Sequence, residues 1–362
     1  MKLSEILDKK NNNLDLFRLI CACAVIYGHS FYLFSPGQYH DLVATIFPGE
    51  YSGTLAVKIF FLLSGILVTN SLIRDQSALR FIMSRFFRIW PGLFFLTIVT
   101  ALIVGPLLSD FPIKDYFQHP SPLSYLKKNL LMDVQYDLPG VFTENKFSSV
   151  VNGSLWTIRR EVCAYILLFS FYFSGISKSK MASILFFLLI SAQPFFKSIS
   201  VFPWVTDNHE ISFLAPCFSF GVLLVLLRDA VVIKFETCLA FWLAFYILKD
   251  TAYAVYIFYV SVLFAILYLS SLAVVLRMKM KFDISYGVYL WGFLVQQVVA
   301  KFYGEVGFIF CVLVSIFFSL ILGMISWYLV EKPAIEFGRW LYNFLAKKMR
   351  EPTVQQTTHA ES

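Results

Sequence analysis

Long apolar runs recur along almost the whole chain and are separated by shorter polar segments. A helix needs about 20 mostly apolar residues to cross the hydrocarbon core of a bilayer, so each long run is a candidate membrane span. The predicted spans cover residues 14–34, 54–73, 87–108, 154–175, 181–200, 210–227, 230–249, 251–276, 284–303 and 306–330. The pattern therefore predicts an all-α fold, a polytopic membrane bundle of about ten transmembrane helices.

Positive charge is distributed unevenly among the loops. Lys and Arg are concentrated before the first span, after the second, fourth and eighth spans, and after the last one. Because cytoplasmic loops are enriched in these residues, both termini are predicted to be cytoplasmic. Residues 35–53, on the other side, contain no Lys or Arg. The long loop 109–153 contains four Lys and five acidic residues, and its length predicts a partly structured lid or acceptor surface.

Composition supports the membrane assignment. Of the 362 residues, 58% are hydrophobic and only 15% are charged, and the mean hydropathy is +0.70. The net charge of +7 follows from the basic cytoplasmic loops, so no nucleic-acid partner is predicted. The six cysteines lie in apolar runs without metal-ligand spacing, which predicts no metal site.

The N-terminal segment is too polar and too mixed in charge for a signal peptide, so we expect the first span to remain as an anchor. Residues 1–350 are predicted to form one transmembrane domain. Residues 351–362 are predicted to be a disordered cytoplasmic tail.

Two ionisable residues share one face of the first predicted span. Arg18 and His29 are eleven residues apart, which is three helical turns plus about 20°, so they lie on one stripe about 16 Å apart. Ionisable side chains inside a membrane normally face a polar cavity and indicate function. The alternatives are that Arg18 snorkels at the helix end and that His29 is a packed or interfacial imidazole.

A pair of arginines begins the third span, in the sequence RFFRIWP. Arg85 and Arg88 are three residues apart, so both can act on one ligand. Guanidinium groups bind phosphates through a fixed fork of donors, which favours phosphate binding. Positive-inside anchoring is the alternative.

A polar stripe enters the fourth span from the non-cytoplasmic side. Ser154, Thr157, Glu161 and Tyr165 share one helix face. A carboxylate at this depth is costly unless it is paired, so Glu161 is predicted to orient His29, to accept from a substrate hydroxyl, or to neutralise Arg159 or Arg160. Arg160 lies one turn from Trp156, which predicts stacking on its ring.

Small residues interrupt the second span in the sequence FFLLSGIL. Ser64 and Gly65 permit a close approach of another backbone, and helix packing is the favoured role. Nucleophile-elbow and Walker signatures do not occur in the sequence.

Six motifs together resemble one family. LDLFRLICACAVIYGH, FFLLSG, RFFRIWP, GSLWTIRREVCAY, DISYGVYLW and SWYLVEKP follow the order found in the membrane acyltransferase-3 family, which includes bacterial O-antigen and exopolysaccharide O-acetyltransferases. The resemblance covers about residues 10–335. It implies a bundle of about ten helices that moves an acyl group, usually acetyl from acetyl-CoA, to a carbohydrate hydroxyl across the inner membrane.

The resemblance also implies roles for individual residues. The catalytic positions of the family are matched by His29 and Glu161. The positions expected to bind the acyl donor are matched by Arg18, Arg85 and Arg88, together with Ser64 and Gly65 of the small-residue motif. His29 is expected either to act as a general base or to carry the acetyl group briefly. Gly292 stands where many members have histidine, so Gln296 or Gln297 is a candidate substitute.

The function predicted is that of an integral O-acyltransferase of the bacterial inner membrane. Its expected partners are acetyl-CoA as donor substrate, a lipid-linked or polymeric carbohydrate as acceptor, and membrane lipids, without a permanently bound cofactor. A transporter or flippase is the alternative, because buried Arg, His and Glu also form substrate pathways.

Overall fold

The computed structural model describes residues 1–34, 40–47, 49–195, 213–251, 253–280 and 282–350. The elements in this part of the chain are helical, apart from two isolated β-bridges, Lys2 with Val232 and Ser109 with Val141. The predicted tail, residues 351–362, lies outside the described residues, as do parts of the fifth and sixth predicted spans.

Ten helices coincide in order with the ten predicted spans, and one more helix follows them. They are α1 Leu14–Leu33, α2 Ser52–Asp75, α3 Ala78–Val99, α4 Trp156–Phe173, α5 Lys180–Ser191, α6 Leu214–Leu226, α7 Phe235–Leu248, α8 Ala254–Ser270, α9 Ser285–Tyr303, α10 Phe308–Ser326 and α11 Lys332–Arg350. Helix α3 begins nine residues before the predicted span, and α11 was not predicted as an element.

Shorter elements join these helices. The short α-helices are Leu3–Ile6, Leu42–Ile46, Gly105–Leu108, Ile113–Gln118, Ser121–Leu130 and Ala273–Arg277. Single turns of 3-10 helix are Lys9–Asn11, Gly153–Leu155, Ile176–Lys178 and Gln193–Phe195. There are also two π-helical turns. Thr100–Val104 follows α3, and Trp327–Glu331 joins α10 to α11. The long loop 109–153 is partly structured, as predicted.

Among the described residues, four continuous helical stretches are long and apolar enough to cross a bilayer: Leu14–Leu33, Ser52–Asp75, Ala78–Leu108 and Phe308–Lys348. The chain is therefore a multi-pass membrane protein, and the figure of ten spans stays a prediction. The last stretch has 41 residues. At 1.5 Å per residue it is about 60 Å long, which exceeds the roughly 30 Å of a hydrocarbon core. Part of it must therefore lie outside the core.

The loops gather at two opposite ends of the bundle. At one end the N-terminal segment pairs with the link between α6 and α7, where the amide of Leu3 donates to the carbonyl of Val231 at 2.9 Å. At the other end Lys146 donates to the carbonyl of Phe34 at 3.1 Å. This grouping agrees with the predicted sidedness of the loops. Their assignment to cytoplasm and exterior remains a prediction.

Helix α2 is packed closely against its neighbours at glycines. A Cβ atom at Gly65 would lie 2.1 Å from the carbonyl oxygen of Phe218 on α6, and one at Gly221 would lie 2.3 Å from the carbonyl oxygen of Leu62. Such backbone contact is possible only without side chains, which is how small residues bring membrane helices together. The close contact places α2 at the centre of the bundle, where it borders both cavities described below.

Candidate active site

A cavity of about 730 Å³ opens at the end of the bundle that holds the N-terminal segment. Residues of α1, α2, α3, α4, α9 and α11 line it. Five of the residues predicted to form the site lie in its wall: Arg18, Ser64, Arg85, Arg88 and Glu161. Residues from four separate predicted spans thus meet in one place.

Two of these arginines are neutralised by acidic residues that the sequence analysis did not assign. Arg18 and Arg88 both donate to Oδ2 of Asp283, Arg88 at 2.7 Å. Arg88 also donates to Oε2 of Glu331 at 3.3 Å, and Glu331 is fully buried. Two guanidinium groups therefore face two carboxyl groups in this cluster.

Asp283 is fixed just before the start of α9. The amide and the hydroxyl of Ser285 both donate to its Oδ1, at 3.1 Å and 2.5 Å. Burial by itself would raise the pKa of this carboxyl, but Arg18 and Arg88 outweigh burial and hold the pKa at about 2. Asp283 is therefore ionised at neutral pH and ties α1, α3 and α9 together.

The wall of the cavity carries eight Lys or Arg side chains and five Asp or Glu side chains, so it is positive overall. Most of the cations have an acidic partner nearby. The guanidinium of Arg85 lies instead 5.8 Å from the ring centre of Tyr165 and donates to the hydroxyl of Ser84. Within the described part of the chain, Arg85 has no ion-pair partner. Arg85 is thus better placed than Arg88 to meet an anionic ligand.

A chain of polar groups continues from Arg85 into the bundle. Tyr165 donates to Glu161, and its hydroxyl lies 2.9 Å from the hydroxyl of Ser64. Of the predicted stripe, Thr157, Glu161 and Tyr165 line the cavity, whereas Ser154 does not. Ser64 therefore lies in the cavity wall, whereas Gly65 packs against α6.

His29 lies in a second, much smaller cavity of about 20 Å³, enough for one water-sized group. Its imidazole faces the interior, with its ring centre 5.3 Å from that of Phe293 on α9. Among the described residues no group forms a hydrogen bond with its buried Nδ1 atom. His29 and Glu161 line different cavities, so the expected orientation of the imidazole by Glu161 is not seen in this geometry.

Two side chains, Val57 and Tyr289, belong to the walls of both cavities. The hydroxyl of Tyr289 lies 2.6 Å from that of Thr157 and donates to the carbonyl of Ser154 at 2.9 Å. The partition between the arginine-lined cavity and the His29 pocket is therefore formed by an anchored tyrosine and a valine. The two cavities are therefore not continuous at this point.

The two glutamines suggested as substitutes for the family histidine serve other purposes. Gln296 donates to the carbonyl of Ile26 and to the hydroxyl of Ser30, which joins α9 to α1. Gln297 donates to two carbonyls of the loop 109–153. Both are buried structural residues. A Cβ at Gly292 would lie 2.8 Å from the side chain of Ile26, so a larger residue there would require that side chain to shift.

A second buried ion pair was not predicted from the sequence. Lys58 and Glu50 are 2.6 Å apart, and their side chains are 1% and 2% exposed. Tyr259 and Thr54 also donate to Glu50, at 2.8 Å and 3.0 Å. Thr54 lines the His29 pocket, so this cluster supports one wall of it. A lysine near the start of a predicted span was the signal for this pair.

The predicted contact of Arg160 is confirmed. Its guanidinium lies 5.4 Å from the ring centre of Trp156 and donates to the carbonyl of that residue at 2.7 Å. Arg160 is thus held at the start of α4. Trp156 lines the His29 pocket, so this contact fixes one side of the pocket.

Comparison with known proteins identifies the family of the chain. Residues 11–330 match the acyltransferase-3 family, described as an acyltransferase domain. The chain is 30% identical over 342 residues to an O-acetyl transferase of Shigella phage Sf6, covering 89% of this chain and 96% of the relative. It is also 30% identical over 352 residues to nodulation protein 10 of Rhizobium leguminosarum bv. viciae, covering 90% and 93%. No solved structure gives a significant match. The chain thus belongs to the acyltransferase-3 family of membrane proteins.

Proposed function

We propose that the protein transfers an acetyl group from acetyl-CoA to a hydroxyl of a cell-surface carbohydrate in the bacterial inner membrane. The observation that carries this proposal is the layout of two adjacent cavities. An arginine-rich cavity opens at the predicted cytoplasmic end, and Val57 and Tyr289 lie both in its wall and in that of the His29 pocket. A relative named O-acetyl transferase supports the choice of acetyl as the group transferred.

The large cavity has the size and charge that the donor requires. At about 730 Å³ it falls within the range of small-molecule sites, and its excess of cations suits a ligand that carries several phosphates. Arg85 is proposed to bind a donor phosphate. Arg18 and Arg88 are proposed to hold the cavity in shape through Asp283 and so to affect the donor indirectly. Acetyl-CoA is then a substrate, and no resident cofactor is required.

His29 is proposed to act as the general base. Its imidazole takes the proton of the acceptor hydroxyl while the hydroxyl oxygen attacks the thioester carbonyl. The carbon–sulfur bond breaks, the CoA thiolate leaves, and it takes up the proton held by the imidazole. The products are an O-acetyl ester and CoA, so the step needs no other reactant. Because the His29 pocket holds only one water-sized group, the partition at Val57 and Tyr289 must open for this step.

The acceptor is proposed to approach from the predicted outer end. There the ordered loop 109–153 is fastened to α9, where Gln297 donates to the carbonyls of Phe147 and Val150 at 2.8 Å and 2.6 Å. This places a structured surface over the outer half of the bundle, close to the helix that contacts His29. Such a surface suits a lipid-linked or polymeric sugar.

A transporter or flippase is the second candidate, because buried ionisable residues can also form a substrate pathway. In this bundle the cationic residues cluster at one mouth, and a tyrosine and a valine close the way to the histidine. That arrangement favours a reaction between two substrates that arrive from opposite ends.

The test uses membranes that contain the full chain, radiolabelled acetyl-CoA, and carbohydrate extracted from the cell surface of the host. We expect label to enter the carbohydrate with the native chain and the His29→Ala variant to give none, while inserting into the membrane normally. The exposed His40→Ala variant is the matched control and should be fully active. Normal transfer by His29→Ala would refute the role of His29, and carbohydrate movement without label transfer would favour the transporter.

A further inference from the structure

Helix α11 lies outside the residues matched to the family, yet it forms one wall of the large cavity. Seven of its residues line this cavity: Lys332, Ile335, Glu336, Gly338, Arg339, Tyr342 and Asn343. The spacing of these residues is that of one helix face. A segment beyond the matched region therefore contributes directly to the candidate donor site.

The position of α11 is fixed by close contacts with α3. A Cβ at Gly338 would lie 2.4 Å from the ring of Phe87, so the two helices touch where Gly338 has no side chain. The guanidinium of Arg80 lies 5.7 Å from the ring centre of Tyr342. These contacts hold the polar face of α11 towards the cavity.

The pairing of charges in the cavity singles out one residue of α11. Arg18 and Arg88 pair with Asp283, and Arg74 and Arg80 pair with Asp75. Lys9 pairs with Asp15 and Lys332 with Glu336 in the same way. Over the ranges that the structure describes, this leaves Arg85 and Arg339 as the cavity arginines without an acidic partner. Both are therefore available to an anion that enters the cavity.

We propose that Arg339 binds a phosphate of the acyl donor together with Arg85, so that α11 is part of the donor site. This inference rests on the proposed function. The ligand class is a phosphate-bearing thioester carrier, and the phosphate is supplied either by the nucleotide part of CoA or by a phosphopantetheine arm. Because an arginine binds phosphate through charged hydrogen bonds, loss of Arg339 removes affinity for the phosphate without affecting the reacting group.

The experiment measures binding and needs no acceptor. Isothermal titration calorimetry on the purified full chain compares CoA, dephospho-CoA and 4′-phosphopantetheine as ligands for the native chain, Arg339→Gln, Arg85→Gln and Lys348→Gln. Lys348 is an exposed cation of the same helix that does not line the cavity, and it serves as the control.

We expect Arg339→Gln to weaken CoA binding about 10- to 100-fold, as loss of a charged hydrogen bond implies. If Arg339 binds the phosphate that dephospho-CoA lacks, the native preference for CoA over dephospho-CoA disappears in the variant. If it binds the phosphate shared with 4′-phosphopantetheine, affinity for all three ligands falls together. Lys348→Gln should bind as the native chain does.

Unchanged CoA affinity in Arg339→Gln, or an equal loss in Lys348→Gln, would overturn the inference while leaving the proposed function in place. Failure of the native chain to bind CoA would overturn both. Retention of the native thermal unfolding midpoint by Arg339→Gln separates a lost contact from a damaged fold.

Discussion

Replacing Asp283 with asparagine removes one negative charge and almost no volume from the cluster at the base of the cavity. The two hydrogen bonds from Ser285 remain possible, because the asparagine side-chain oxygen accepts as the carboxylate does. Arg18 and Arg88 lose their shared counter-charge, and Arg88 retains only Glu331 at 3.3 Å. The perturbation therefore isolates the electrostatic part of the cluster.

The expected cost follows from the burial of the groups. The side chains of Arg18, Arg88 and Asp283 are 22%, 17% and 15% exposed. Removing one partner of a buried ion pair costs about 3–5 kcal/mol. Because the amide has one oxygen, which cannot accept from Ser285 and from the guanidinium groups at the same time, we expect about 4 kcal/mol. A loss of this size lowers the unfolding midpoint by roughly 5 °C in a chain of this length.

The assay is thermal unfolding of the purified protein, followed by tryptophan fluorescence. Asp229→Asn, at an exposed position near the same end of the bundle, serves as the control and should unfold at the native temperature. The double variant Arg18→Gln with Asp283→Asn should recover part of the loss, because it leaves fewer uncompensated charges. An unchanged midpoint in Asp283→Asn would refute the argument that Asp283 stabilises the two arginines.

The same carboxyl predicts a dependence on pH. Because its pKa is lowered to about 2 in the folded chain, its contribution to stability is complete above the ordinary pKa of about 4. That contribution is lost as the pH falls from about 4 to about 2. We expect native protein to lose stability across this window more steeply than Asp283→Asn, as measured by unfolding midpoints at each pH.

Three further substitutions test other parts of the structure. Lys58→Met should cost about 3–5 kcal/mol because Glu50 is left buried without its partner, and adding Glu50→Gln should restore part of it in thermal unfolding. Gly65→Ala should cost about 1–3 kcal/mol or more by forcing α2 from α6, whereas a native midpoint would contradict the close contact. Val57→Phe should thicken the partition and reduce acetyl transfer far more than it weakens CoA binding; Val57→Ala, the control, should remain active.

The sequence was sufficient to place the helices, because a bilayer fixes the length and apolarity of a spanning segment. In the part of the chain that the structure describes, a helix lies at each of the ten predicted spans, and four stretches there meet the requirements for crossing by length and composition. Helical periodicity also predicted a stripe of four residues, of which Thr157, Glu161 and Tyr165 line the cavity and Ser154 does not. These predictions succeeded because they depend on local geometry along one helix.

Contacts between distant segments were not predictable in the same way. Asp283 pairs with arginines 265 and 195 positions away, and Glu331 with one 243 positions away. The available signals were an Asp just before the predicted span 284–303 and a Glu just after the predicted span 306–330. Without the packing of α1, α3, α9 and α10, nothing in the sequence selects these partners from the other acidic residues. The sequence pattern therefore predicts phosphate binding for both Arg85 and Arg88, whereas in the structure Arg88 pairs with Asp283 and Glu331.

Helix α11 was missed for a different reason. Its sequence mixes charged residues with Phe337, Trp340 and Phe344, so a search for continuous apolar runs does not detect it. The aromatic residues follow one another at helical spacing, with ring centres 5.6 Å and 5.9 Å apart. An amphipathic pattern of this kind is typical of a helix that lies along a membrane surface or a protein wall.

The Lys58–Glu50 pair has a consequence for biogenesis. Its two charges are eight residues apart, so they can meet as soon as the second hydrophobic segment leaves the ribosome. Tyr259, which completes the cluster, is translated some two hundred residues later. Glu50 can thus neutralise Lys58 when the segment enters the translocon. This pairing does not depend on the later synthesis of α8.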